Sequence, residues 1–178
     1  MSLPGVISAS ASRLAVQLLE HNASVTTVES CTGGLVAAAL TMIPGSSAYF
    51  PGGLVTYSNR LKHEAVGVSN QTLEQFGAVS PQTAIEMARG GRAFAHADYA
   101  VAITGIAGPD GGSDDKPVGT VWICIEGLGE RRDCRRFIFP GAREQVREHS
   151  CVNALSMMSQ RISESYETLP HELERYQA

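Results

Sequence analysis

The chain has little of what marks several functional classes. No apolar run approaches the roughly 20 residues a membrane helix needs, so no membrane partner is expected. The opening Met1-Ser2-Leu3-Pro4-Gly5 lacks the basic region and long apolar core of a secretory leader, which points to a cytoplasmic protein. There is no excess of positive charge. Fourteen Lys and Arg face 18 Asp and Glu, a formal net charge of -4 that argues against nucleic-acid binding while leaving room for a local phosphate pocket. The four cysteines, Cys31, Cys124, Cys134 and Cys151, form no C-x-x-C pair, and the five histidines show no zinc-ligand spacing with them. No metal, cofactor or disulfide framework is therefore expected, and Cys124, in an apolar strand pattern, reads as a small buried hydrophobe.

What is present suits one domain with a full core: 178 residues, 43% of them hydrophobic. Ile7, Ala11, Leu14, Ala15, Leu18 and Leu19 recur at helical spacing, predicting a helix over 6–21. Strands are expected at 25–29, 53–58, 99–104, 118–126 and 134–139. Helices are expected at 32–43, 59–65, 69–76, 81–95 and 142–165. Ser80-Pro81 supplies a capping hydroxyl and a first-turn proline, and Gly90-Gly91 marks a possible close approach. The short glycine-bearing connection 127–132 fits a hairpin, so at least one strand runs antiparallel. The alternation predicts a three-layer α/β/α sandwich with a mixed, mostly parallel sheet of about five strands. One domain spans residues 1–165, followed by a polar tail over 166–178.

Three glycine- or hydroxyl-rich turns follow predicted strands, where α/β sheets bind ligands. The first is Ser30-Cys31-Thr32-Gly33-Gly34. A serine at a strand-to-helix turn is held out from the sheet edge, with N–H groups and a helix N-terminus behind it, the layout of a nucleophile elbow without its usual G-x-S-x-G spelling. The alternative is that Ser30 or Thr32 merely caps the helix. The second turn, Thr56-Tyr57-Ser58-Asn59, leads to Lys62. If the first two strands are neighbours, Lys62 can approach Ser30. A buried lysine loses solvation, its pKa falls, and the neutral amine can take a hydroxyl proton. The alternative is a solvated surface lysine. The third, Gly105 to Pro117, is long for a compact domain; it is either a ligand-binding loop or a flexible surface turn. Cys31 is a rival nucleophile, although no histidine is placed to activate it. Arg143 and Arg147, four apart, share a helix face suited to a phosphate or to ion pairs with Glu144 or Glu148.

These segments carry a resemblance. Glu29-Ser30-Cys31-Thr32-Gly33-Gly34, 44–50 (Pro44 to Phe50), Val55-Thr56-Tyr57-Ser58-Asn59 with Lys62, Gly77-Ala78-Val79-Ser80, 105–112 and 116–121 resemble the CinA C-terminal domain family of nicotinamide mononucleotide deamidases, over about Leu14 to Leu155. The resemblance implies hydrolysis of the carboxamide of nicotinamide mononucleotide to nicotinate mononucleotide and ammonia. It implies Ser30 as nucleophile, Lys62 as base and Tyr57 in support. It also implies a homodimer or higher homo-oligomer and no metal. Cys31, Thr32 and Gly33 are then expected to hold the oxyanion, Arg143 or Ser47 the phosphate, and Thr104, Gly105, Ala107 and Gly108 to wall the nucleotide. Larger relatives carry a further pyrophosphatase-like domain ahead of this one, and the few residues before the first helix are not expected to supply that activity. A competing reading is a binding module without catalysis, against which the presence of both Ser30 and Lys62 speaks.

Overall fold

Alternation along the strands divides the core into two halves, one on each side of a central sheet. In the computed structural model, which describes residues 3–127 and 132–168, β1 (Val25–Glu29), β2 (Gly52–Val55), β3 (Tyr99–Gly105), β4 (Thr120–Glu126) and β5 (Arg132–Ile138) form one sheet in the order β2-β1-β3-β4-β5. The β1–β2 and β1–β3 ladders are parallel, and the β3–β4 and β4–β5 ladders antiparallel. Tyr99, Val101 and Ile103 of β3 turn to one face, where they pack with α1 (Leu3–Glu20), α2 (Leu35–Thr41) and α6 (Arg143–Thr168). Ala102 and Val28 turn to the other, against α5 (Pro81–Ala95) and the end of α3 (Asn59–Val66); a short α4 (Asn70–Phe76) lies between those two helices in the chain. The result is the expected α/β/α sandwich, with β3 buried on both faces.

Small residues bring α5 close to the sheet. A Cβ on Gly91 would overlap the Val28 side chain, and one on Gly90 would overlap the Val66 carbonyl. The close approach suggested by Gly90-Gly91 is therefore present, against the roughly 1 kcal/mol that a mid-helix glycine costs relative to alanine. Local capping follows side-chain chemistry. Ser80 Oγ accepts from Thr83 N (3.2 Å) ahead of Pro81, and Ser69 Oγ accepts from Thr72 N (3.0 Å).

Several boundaries differ from expectation. Ser58, just ahead of the helix expected at 59–65, caps α3, accepting from Leu61 N. Leu19 is half exposed, because the α1 face that packs on α6 ends at Leu18. The helix expected from Thr32 begins at Leu35, since Gly33 and Gly34 sit at φ 62 and 93, a left-handed conformation that interrupts a helix. The last helix runs on to Thr168, past the expected end at Ser165; residues 169–178 of the expected tail, and 128–131 of the hairpin connection, lie outside the described residues. Arg135 and Arg136 are exposed on edge strand β5.

Topology locates the site. From β1 the chain crosses by α2, on one face, to β2. It then returns by α3, α4 and α5 to β3 on the other side of β1. Crossovers leaving in opposite directions open a crevice at the carboxyl ends of β1 and β3, where open α/β sheets bind ligands.

Candidate active site

Ser30 is the first residue past β1, and its N–H still extends the ladder to Ile103 O (2.9 Å). Its Oγ therefore sits on a rigid strand end. Lys62 lies in the first turn of α3 and is 1% exposed. Its Nζ makes three contacts: Ser30 Oγ at 3.0 Å, Thr56 O at 2.8 Å and Tyr57 O at 3.2 Å. No carboxylate takes part in an ion pair with it among the described residues. Burial lowers the Lys62 pKa from its ordinary 10.5 to about 8. This geometry suits both protonation states. The ammonium donates to all three oxygens. The neutral amine keeps two N–H bonds to the carbonyls and turns its lone pair to the Ser30 hydroxyl.

Cys31, the alternative nucleophile, is buried, and that burial pushes its thiol up to about 11, so it is protonated at neutral pH. Its N–H has a different significance. Ser30 O accepts from Gly33 N (3.1 Å) inside the turn, and in a trans peptide the next N–H points the opposite way. The Cys31 N–H therefore points out of the turn, where it meets no other main-chain group among the described residues and donates to its own sulfur, which offsets part of the effect of burial on that thiol. Gly33, expected to donate to an oxyanion, has its N–H engaged within the turn. The N-terminus of α2, expected to help, is engaged as well: the fully buried Glu29 carboxylate accepts from Gly34 N (2.9 Å), Val36 N (3.2 Å) and Ala37 N (2.8 Å).

A pocket of about 260 Å³ opens over the pair. Ser30, Cys31, Tyr57 and Lys62 line it, with Thr104, Gly105, Ala107, Gly108 and Arg143. Thr32 and Gly33 are not among its walls; Thr32 is fully buried, and its carbonyl accepts from Arg147. Ser47 lies in a 3-10 turn (Ser46–Ala48) ahead of β2. The neighbouring Tyr49 O accepts from Val25 N at the start of β1, about 16 Å of strand away from Ser30. Ser47, expected to meet the phosphate, is not among the residues that line this pocket. Tyr57 supports Lys62 through its main-chain carbonyl, while its phenol oxygen accepts from Arg143 Nη2 (3.0 Å). Arg143 Nη1 donates to Gly108 O (2.9 Å), which ties α6 to the long loop. That loop is anchored elsewhere too, by Lys116 Nζ to Phe76 O (3.0 Å) and Arg136 to Asp115 O (2.8 Å).

Ala78 and Val79, which had no assigned role, also line the pocket, as do Ile106, Asp110 and Gly111 of the long loop. The first two belong to the segment before the α5 cap, whose place beside the site depends on Thr104 Oγ1 donating to Ala78 O (2.7 Å). A larger depression of about 440 Å³ lies beside Arg92, His96 and Asp98, but it offers no buried nucleophile, and Arg92 Nε is engaged by Asp98 O.

The CinA C-terminal domain model matches residues 7–162. The chain belongs to the CinA C-terminal domain family. Its relatives in that family include "Nicotinamide-nucleotide amidohydrolase PncC" of Escherichia coli strain K12, 51% identical over 143 residues that cover 80% of this chain and 87% of that protein. The Pseudomonas putida protein of the same name is 49% identical, over 86% of this chain and 96% of its own length. A "putative competence-damage inducible protein" of Acetivibrio thermocellus is 47% identical over 81% of this chain, which corresponds to 35% of that longer protein. Among solved structures, the competence/damage inducible protein CihA of Agrobacterium tumefaciens superposes with a TM-score of 0.86 at 44% identity, covering 89% of this chain and 97% of that one. Likeness over nearly whole chains supports an amidohydrolase of the PncC type.

Proposed function

We propose that the protein hydrolyses the carboxamide of nicotinamide mononucleotide, giving nicotinate mononucleotide and ammonia through an acyl-serine intermediate, a salvage step for pyridine nucleotides. The observation that carries this reading is the 3.0 Å contact between Ser30 Oγ and a buried lysine amine whose pKa lies near 8. Neutral Lys62 takes the Ser30 proton as Oγ attacks the carboxamide carbon. The carbonyl electron pair moves to oxygen, and the Cys31 N–H donates to that oxyanion. A donor of this kind is worth about 3 kcal/mol of transition-state stabilisation. The Lys62 ammonium then gives its proton to the departing nitrogen, the C–N bond breaks and ammonia leaves. Water attacks the acyl-serine as Lys62 takes a proton from it, the C–Oγ bond breaks as the carbonyl re-forms, and the Lys62 ammonium returns the proton to Ser30 Oγ, so the acid product departs with serine and neutral amine restored. Lys62 acts as base and then acid in both halves while Ser30 carries the acyl group, so the scheme calls on no metal.

Arg143 is the phosphate ligand of this reading. Two of its five N–H donors are taken by Gly108 O and Tyr57 OH, which leaves three for an anion at the pocket mouth. A cysteine mechanism through Cys31 is disfavoured by the raised thiol pKa. Quenching the protein during turnover of nicotinamide mononucleotide and sequencing its peptides by mass spectrometry tests the scheme. A nicotinate mononucleotide acyl group on Ser30 is expected; the same group on Cys31, or none under a demonstrated burst of ammonia, contradicts it.

A further inference from the structure

The Ser30–Gly34 turn is held from two sides by charged groups that touch neither the pocket nor each other. On the sheet side, Glu29 places its carboxylate under the start of α2, where Oε2 accepts from Gly34 N and Val36 N and Oε1 from Ala37 N. On the helix side, Arg147 donates to Thr32 O from Nε (3.3 Å) and from Nη2 (2.9 Å). Neither residue lines the pocket. Arg147 has no carboxylate partner among the described residues, although Glu144 and Glu148 are nearby in sequence.

Between these anchors lies the peptide that decides where the Cys31 N–H points. Its carbonyl, Ser30 O, is held by Gly33 N, the residue directly between the Arg147-bound carbonyl and the Glu29-bound Gly34 amide. If Gly33 shifts, Ser30 O loses its donor and the Cys31 N–H is free to swing. Gly33 is at φ 62, a conformation that local sterics do not enforce on a glycine, so the hold must come from outside the turn.

We infer that Glu29 and Arg147 are positioning residues for amide hydrolysis, together fixing the Ser30–Gly34 turn so that the Cys31 N–H stays aimed at the developing oxyanion. This rests on the reading of Ser30 as nucleophile. Their contribution is made in the transition state, so it enters kcat and leaves KM nearly unchanged. Glu29→Gln replaces one acceptor oxygen with an amide that opposes the N–H groups it faces. Arg147→Met removes the hold on Thr32 O at similar length, and Arg147→Lys restores one donor.

The test compares nicotinamide mononucleotide with its thiocarboxamide analogue in the wild type, Glu29→Gln, Arg147→Met, Arg147→Lys and Ser30→Ala. Sulfur accepts hydrogen bonds weakly, so a misaimed donor penalises the amide far more than the thioamide. Expected for Glu29→Gln and Arg147→Met is a fall in amide kcat of about 10- to 100-fold with KM within about twofold, a much smaller fall for the thioamide, and partial recovery in Arg147→Lys. A merely structural role would lower both substrates equally, through a smaller fraction of active protein. Equal falls, or none, overturn the inference. Should Glu29→Gln not fold, the two Arg147 variants decide it alone. Amide hydrolysis surviving in folded Ser30→Ala overturns the nucleophile reading and this inference with it. An inactive Ser30→Ala beside unchanged amide-to-thioamide ratios overturns the positioning role only.

Discussion

Lys62 Nζ stands 3.0 Å from Ser30 Oγ while two main-chain carbonyls, Thr56 O and Tyr57 O, occupy its other hydrogen-bonding directions. The carbonyls accept only, and the hydroxyl both donates and accepts. When the lysine loses a proton, the vacated direction is therefore the one toward Ser30. Burial, with no carboxylate paired to it among the described residues, makes that loss accessible near neutral pH.

If Lys62 is the base, as proposed, activity is expected to follow its neutral form. With a pKa near 8, kcat/KM for amide hydrolysis rises about tenfold per pH unit on the acid side and levels off above about 8. Rates between pH 6.5 and 9.5 check this; a flat profile from 6.5 to 9 contradicts it.

Stability carries the same signature with a defined sign. The Lys62 pKa is lower in the folded state, about 8 against 10.5, so between these values the unfolded chain binds the extra proton. Stability then rises with pH, by about 3 kcal/mol across the window, and the penalty is fully present below pH 8. Urea unfolding at pH 7.5 and 10.5 is expected to show this gain in the wild type relative to Lys62→Met, which has no proton to lose. Parallel changes in the two proteins contradict the buried amine.

On the proposed reading, removing the Arg143 guanidinium is expected to weaken phosphate recognition and to leave the Ser30–Lys62 pair in place. Arg143→Ala is expected to raise KM for nicotinamide mononucleotide by about 10- to 100-fold, the worth of charged hydrogen bonds at 1.5–3 kcal/mol. Against nicotinamide riboside, which lacks the phosphate, the same variant is expected to change KM little. Equal effects on both would remove Arg143 from the phosphate.

Gly90→Ala inverts the usual helix preference. Alanine ordinarily stabilises a mid-helix position by about 1 kcal/mol, but here its methyl would overlap the Val66 carbonyl, a main-chain group that cannot turn aside. Net destabilisation of about 1–3 kcal/mol is expected from urea unfolding. A more stable variant would contradict the close α3–α5 approach.

Much of this was readable in the sequence where a residue's chemistry acts locally. Ser69 and Ser80 cap the helices they precede, the near-continuous apolar run of β3 is buried, and the turns after β1, β2 and β3 line one pocket. What escaped depends on partners distant in sequence. Glu29 accepts from N–H groups up to eight residues on, so α2, which left-handed Gly33 and Gly34 delay to Leu35, needs no hydroxyl cap. The one signal was a glutamate inside a buried, β-branched strand. Arg143 and Arg147 share a helix face by spacing, yet the first reaches the pocket and the second a carbonyl behind it. That separation follows from how α6 lies across the sheet, not from periodicity. Ser47 was expected at the phosphate as a hydroxyl in a segment of the resemblance; it does not line the pocket and lies in the 3-10 turn whose neighbour Tyr49 meets the start of β1.

Ammonia release from nicotinamide mononucleotide by the wild type, Ser30→Ala and Lys62→Ala, each verified as folded, tests the central claim most directly. The account predicts release by the wild type and its loss by several orders of magnitude in both variants. A folded wild type that releases none, or a Ser30→Ala variant that releases ammonia at the wild-type rate, would contradict it.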